Sequence, residues 1–259
     1  NTVSGLSTLT PTSNWVLGAP ITLTNNYTGP VLDQTFSGIM DGLGNTVNNM
    51  QITVGTAVNS GFYAQLGGAT IRNVGFTNVN INSAATINHR LGAVAGNGSY
   101  SGTNTITQVW STGFITETTA ACDTEAGGFF GGATAGTLNI SKSWSSVTVS
   151  TNSNYVGSGG IIGTNVSGFA GTGTPTSGNN TLSISETYST GNILRNIPGA
   201  AAWMGNGGII GVAYGYSATI TNSFSWGNIN STGGSAGTST AGIIGVGYGA
   251  SYASVSNSY

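Results

Sequence analysis

Charge is the scarcest property of this chain: 4 Lys+Arg and 6 Asp+Glu stand among 259 residues, giving a formal net charge of −2. A phosphate-binding surface needs clustered cations, and Arg72, Arg90, Lys142 and Arg195 are scattered along the sequence, so no nucleic-acid partner is expected. Apolar stretches are short, far below the length that spans a bilayer, which excludes membrane insertion by a helix. The one cysteine, Cys122, has no partner for an internal disulfide and reads as a small buried apolar side chain. With one histidine, His89, a Ser/His/Asp arrangement cannot be argued, and a metal site centred on it lacks a visible companion ligand.

Glycine, by contrast, is abundant at 44 residues, beside much Ser, Thr and Asn. Such composition borders on that of disordered polar tracts, but regularly placed Ile, Val, Trp, Tyr and Phe argue for a packed core. The placement is periodic. A glycine-bracketed apolar pair recurs as Gly128-Phe129-Phe130-Gly131, Gly160-Ile161-Ile162-Gly163, Gly208-Ile209-Ile210-Gly211 and Gly242-Ile243-Ile244-Gly245. Looser copies end at Gly96 and Ala64. The closing positions 64, 96, 131, 163, 211 and 245 are spaced by 32, 35, 32, 48 and 34 residues. A second pattern sets an aliphatic residue four before an aromatic, then Ser, then a β-branched residue five after the aromatic. It reads Ile106, Trp110, Ser111, Ile115; then Ile140, Trp144, Ser145, Val149; then Ile184, Tyr188, Ser189, Ile193; then Ile220, Phe224, Ser225, Ile229. Val255 and Tyr259 begin a further copy, and Ile71, Phe76 and Ile81 resemble an earlier one.

Each apolar pair is too short for a helix, and runs such as Thr181-Leu182-Ser183-Ile184-Ser185 alternate with the period of a strand. One unit cannot bury its own apolar face; copies stacked at roughly 4.8 Å can. The predicted fold class is therefore all-β, a single-stranded parallel β-solenoid. Residues 1–33 are read as an N-terminal cap with opening strands and residues 34–259 as the repeat array. Trp110, Trp144, Tyr188, Phe224 and Tyr259 are predicted to form an inward aromatic ladder, and Ile115, Val149, Ile193 and Ile229 an aliphatic one. Gly96, Gly131, Gly163, Gly211 and Gly245 are predicted at corners, where positive φ or close approach excludes a Cβ. Segments 166–180 and 231–240 read as surface loops. The last aromatic copy stops at Tyr259, so continuation of the chain or self-association at that end is expected.

These patterns resemble the GLUG repeat of bacterial surface adhesins and of non-catalytic regions of immunoglobulin-A-cleaving peptidases. The resemblance is carried by Gly159–Gly163 with Thr187–Ile193, by Gly207–Gly211 with Asn222–Ile229, and by the turn Asp41-Gly42-Leu43-Gly44. It implies a right-handed β-helix and says little about activity.

Candidate chemistry is sparse. No catalytic or cofactor-binding residue is identified, and no cofactor is expected. Asp41 in its Asp-Gly turn is expected to cap local backbone N–H groups. Glu117, Asp123 and Glu125 cluster beside Cys122 and are the weak candidates for a metal site, as oxygen ligands to Ca²⁺. Glu186 is placed in a strand, facing out. Sequons at Asn26, Asn97, Asn139, Asn165, Asn179 and Asn230 permit glycosylation. The expected role is a non-enzymatic structural or adhesive protein, extracellular or on a cell or virion surface, binding glycans or proteins through lateral loops. The alternatives are a polysaccharide-cleaving β-helix and an ice-binding solenoid.

Overall fold

The computed structural model describes residues 10–120, 122–152, 156–165, 178–197, 204–233, 238–247 and 252–259. Among them there is no helix; strands assemble into sheets of 17, 6 and 7 strands, and the pairings within each are parallel. The arrangement is β-helix-like. One layer runs through the long sheet as Thr103–Glu117, crosses to the six-stranded sheet as Thr124–Gly127, reverses at Gly128-Phe129, and returns in the seven-stranded sheet as Phe130–Ala133. Gly136–Ser141 then opens the next layer, pairing with the start of Thr103–Glu117.

The repeat spacing is the register. Ile71, Ile106, Ile140, Ile184, Ile220 and Val255 are successive cross-strand partners. So are Ile81, Ile115, Val149, Ile193 and Ile229. Ile115, Val149 and Ile193 are fully buried in the core, and Ile229 is packed against it. Each such side chain contributes about 1.5–3 kcal/mol by leaving water. Phe130, Ile162, Ile210 and Ile244 form a third column on the seven-stranded sheet.

Three expectations need correction. The first concerns the aromatics. Trp110, Trp144, Tyr188 and Phe224 are register partners, but they sit half-buried on the outer face of the long sheet and not in the core. Ser111, Ser145 and Ser189, one residue on, point inward and are buried. The reason is lack of depth: a Cβ on Gly128, Gly160 or Gly208 would lie 2.1 Å from the Oγ of Ser145, Ser189 or Ser225. The reversal of each layer comes so close to the long sheet that only serine fits between them. Phe76 aligns with Ser111, and Gly75 with Trp110, so the early copy is shifted by one residue. A one-residue shift exchanges faces. Phe76 accordingly fills the interior, 5.4 Å from Phe62, while the Trp110 ring lies over Gly75.

The second correction is that Gly96, Gly131, Gly163, Gly211 and Gly245 are not corner residues. Each is the second residue of a strand in the seven-stranded sheet. A Cβ at Gly131 would stand 2.4 Å from Leu91 N, at Gly163 2.5 Å from Ala126 N, and at Gly211 2.6 Å from Ser158 N. These glycines let the two smaller sheets touch backbone to backbone. Corners with positive φ are instead occupied by Asn73, Gln108, Lys142, Glu186, Asn222 and Asn257. Glu186 is thus at an exposed bend, not within a strand.

The third concerns loops. Of segment 166–180, only 178–180 are described, and they are strand; of 231–240, residues 231–233 and 238–240 are strand and 234–237 lie outside the described residues. Residues 15–27, within the expected cap, pair in parallel with the layer at 39–54 and supply the first layer of the long sheet; residues 1–9 lie outside the described set.

Candidate functional site

The outer face of the long sheet carries the aromatic column. Trp144 and Tyr188 stack at 6.0 Å and 8°, Tyr188 and Phe224 at 4.8 Å and 3°, and Phe224 and Tyr259 at 5.7 Å and 14°. Because neighbouring rings cover one another's faces, this column is first a structural ladder. Open aromatic surface is found at Phe114 on the sheet (60% exposed), at Trp226 just past strand Phe224–Ser225 (77% exposed), and at Tyr259 at the end of the stack (72% exposed). Beside them run amide and hydroxyl rows. Asn80 Nδ2 donates to Gln51 Oε1 at 2.8 Å, and both line a shallow groove of about 260 Å³ with Asn26, Thr53 and Asn82. A second groove of about 220 Å³ is lined by Ser150, Asn152, Asn196, Asn230 and Thr232, together with Leu194 and Arg195. Both are smaller than usual small-molecule pockets; the first is mainly polar, while the second mixes polar side chains with Leu194.

Charge is concentrated at one interior corner. Strand His89–Gly92 pairs with Thr124–Gly127, bringing His89 beside Thr124 and Arg90 beside Glu125. Arg90 Nε and Glu125 Oε2 are 2.5 Å apart and buried. Burial pushes the Glu125 carboxyl up, against the opposing pull of Arg90 and Thr164. Glu117, the last residue of its strand, accepts the Thr119 N–H on Oε1 and faces His89 with Oε2, 2.7 Å from Nε2. His89 Nδ1 donates to Ile87 O at 2.7 Å. Cys122 sits against Thr124 Oγ1 at 3.6 Å, and burial, followed by the nearby Glu117 and Asp123 carboxylates, pushes its thiol up to about 11.

The three acidic residues named from sequence do not meet as one oxygen cage. Glu117 faces His89, Glu125 pairs with Arg90, and Asp123 Oδ2 accepts from Asn88 Nδ2 at 3.1 Å. What sequence reasoning missed is the companionship of His89: Glu117 and Cys122 offer ligand atoms within 4.8 Å of it and of each other. The signal was available, since one repeat length beyond His89 falls at residues 121–124. Asp41 caps Leu43 N at 3.0 Å in its turn, and also binds Asn73 and Arg72 of the next layer. Among the sequons, Asn97 and Asn165 are buried, so neither is open to a glycosyltransferase in the folded chain.

This corner does not have the form of a cysteine hydrolase. Such a site needs an activated thiolate against one imidazole nitrogen and an acid orienting the other. Here a carboxylate oxygen faces Nε2, a backbone carbonyl accepts from Nδ1, and burial pushes the thiol up instead of activating it.

No known protein family matches the sequence, and no curated protein does. Among solved structures, the chain is similar to the crystal structure of a putative immunoglobulin A1 protease from Bacteroides ovatus. The two share 22% identity with a TM-score of 0.70, over 99% of this chain and 72% of that one. The likeness is one of fold.

Proposed function

We propose that this chain is a right-handed β-helix of the GLUG-repeat kind, displayed outside the cell or on a particle, where it serves as a non-enzymatic scaffold that binds glycans or proteins laterally. The observation that carries the reading is the outer face of the long sheet. Phe114 on that face and Trp226 just past its Phe224–Ser225 strand present open rings, in layers that the Trp110–Phe224 register sets three apart, about 14 Å along the stack. Ring faces stack on sugar rings or on apolar side chains, and the amides and hydroxyls alongside supply hydrogen bonds. The stacking of layers gives a stiff support for such a face. A structural neighbour named as a protease raises the enzyme alternative, and polysaccharide cleavage remains the other catalytic reading of a parallel β-helix. Against both, the acidic side chains of this corner are buried and each faces a different neighbour, and burial pushes the Cys122 thiol up.

The test is binding of the chain to a glycan array and to host-surface protein panels, with Phe114→Ala and Trp226→Ala variants. The expected result is binding that falls at least tenfold in one or both variants. Binding to no surface, or cleavage of immunoglobulin A1 or of a polysaccharide by the chain, would overturn the proposal.

A further inference from the structure

We propose that His89, Glu117 and Cys122 form a binding site for a borderline-soft divalent cation of the zinc class. The three residues come from different places in the chain: His89 opens a strand of the six-stranded sheet, Glu117 closes a strand of the long sheet, and Cys122 lies on the connection to Thr124–Gly127. One nitrogen, one oxygen and one sulfur donor converge within 4.8 Å, on residues that are 0%, 1% and 3% exposed. Two further observations point to a ligand. His89 donates Nδ1–H to the Ile87 carbonyl, the outer hydrogen bond typical of metal-binding histidines, which turns Nε2 into the cluster. Glu117 Oε2 is buried, faces that nitrogen, and accepts no aligned hydrogen bond. Nε2 and Oε2 thus face each other without an aligned hydrogen bond in a dry corner, where a cation would engage both.

The donor set selects the cation. Thiolate and imidazole favour zinc-class ions, whereas Ca²⁺ requires six or more oxygens. In a tetrahedral zinc site, ligand bonds of about 2.0–2.3 Å set nitrogen–oxygen separations of roughly 3.3 Å. The present 2.7 Å contact must therefore open by about 0.6 Å, within the reach of the Glu117 side chain. Thr124 Oγ1, 3.4 Å from His89 Nε2 and 3.6 Å from Cys122 Sγ, borders the fourth position and can hold a water there. Since His89 and Thr124 are register partners, the ion would staple the corner of one layer to the corner of the next.

The experiment uses the 259-residue chain, stripped with a chelator and loaded with Zn²⁺ or Co²⁺. One zinc per chain should survive gel filtration, and the cobalt form should show a thiolate-to-cobalt charge-transfer band. Cys122→Ser should abolish the band, and both Cys122→Ser and His89→Gln should weaken zinc affinity at least tenfold, while Asp123→Asn keeps one ion per chain. Circular dichroism before loading establishes that each variant is folded; Glu117→Gln replaces any that is not. No retained zinc in the folded wild type, undiminished zinc in the folded ligand variants, or a cobalt spectrum without the thiolate band would overturn the assignment.

Discussion

Replacing Arg90 by methionine tests how the interior tolerates charge. Arg90 and Glu125 are 2.5 Å apart with side chains 7% and 0% exposed, so neither is appreciably screened by water. Their attraction at an effective dielectric constant near 20 is roughly 4 kcal/mol. Removing one partner of a buried pair costs about 3–5 kcal/mol because the other charge is stranded. Methionine keeps the aliphatic bulk that lies over Gly132, where a Cβ would meet Glu125 Oε2 at 2.3 Å and Arg90 Nε at 2.8 Å. The loss should therefore be electrostatic and not due to a cavity. Its pH dependence has a definite sign. Burial already raises the Glu125 pKa, and loss of Arg90 raises it further. A carboxyl whose folded pKa exceeds its unfolded value stabilises the fold fully below the unfolded value, and that contribution is lost as pH rises through the folded one. Arg90→Met should thus cost about 3–5 kcal/mol at pH 7 and markedly less near pH 4.5, where Glu125 takes up a proton. Urea unfolding at the two pH values, with Glu125→Gln added to Arg90→Met as a control lacking the pH response, is the assay. A penalty below about 1 kcal/mol at pH 7, or one equal at both pH values, would refute the reasoning.

Other expectations follow from backbone and turn geometry. Gln108, Lys142 and Glu186 hold φ of 55°, 51° and 48° at corners where other layers use Asn. Replacing each with Asn should raise stability by about 0.5 kcal/mol, read as additive increases in Tm. Gly211→Ala should cost more than about 3 kcal/mol, since its Cβ would meet Gly163 O, Ser158 N and Ser158 O at 2.5–2.7 Å and no flexible side chain can yield. Asp41 is held below the usual carboxylate range by Asn73, then by Leu43 N–H and Arg72. Its contribution is present above pH of about 4 and is lost as pH falls through its folded pKa, so Asp41→Asn should flatten that part of the acid unfolding curve.

Two of the columns were legible in the sequence because strand alternation and repeat length are local quantities. Ile106, Ile140, Ile184 and Ile220 pair in one column, and Ile115, Val149, Ile193 and Ile229 in another, because equal spacing carries equivalent residues to equivalent positions in each layer. The side on which the aromatics stand was not legible. Adjacent Trp144 and Ser145 must face opposite ways, but which goes inward depends on how near Gly128 approaches from the reversal between the two smaller sheets. The same dependence placed the closing glycines Gly131, Gly163, Gly211 and Gly245 in strands and not at corners, since their purpose is contact between sheets and not a local turn. His89, Glu117 and Cys122 meet for a reason of the same order: each ends or connects a different strand, and only stacking of consecutive layers brings their donors together. Sequence alone determined the period and the order of the layers; the distances between sheets, which arise from packing, decided which side chains the narrow interior could admit.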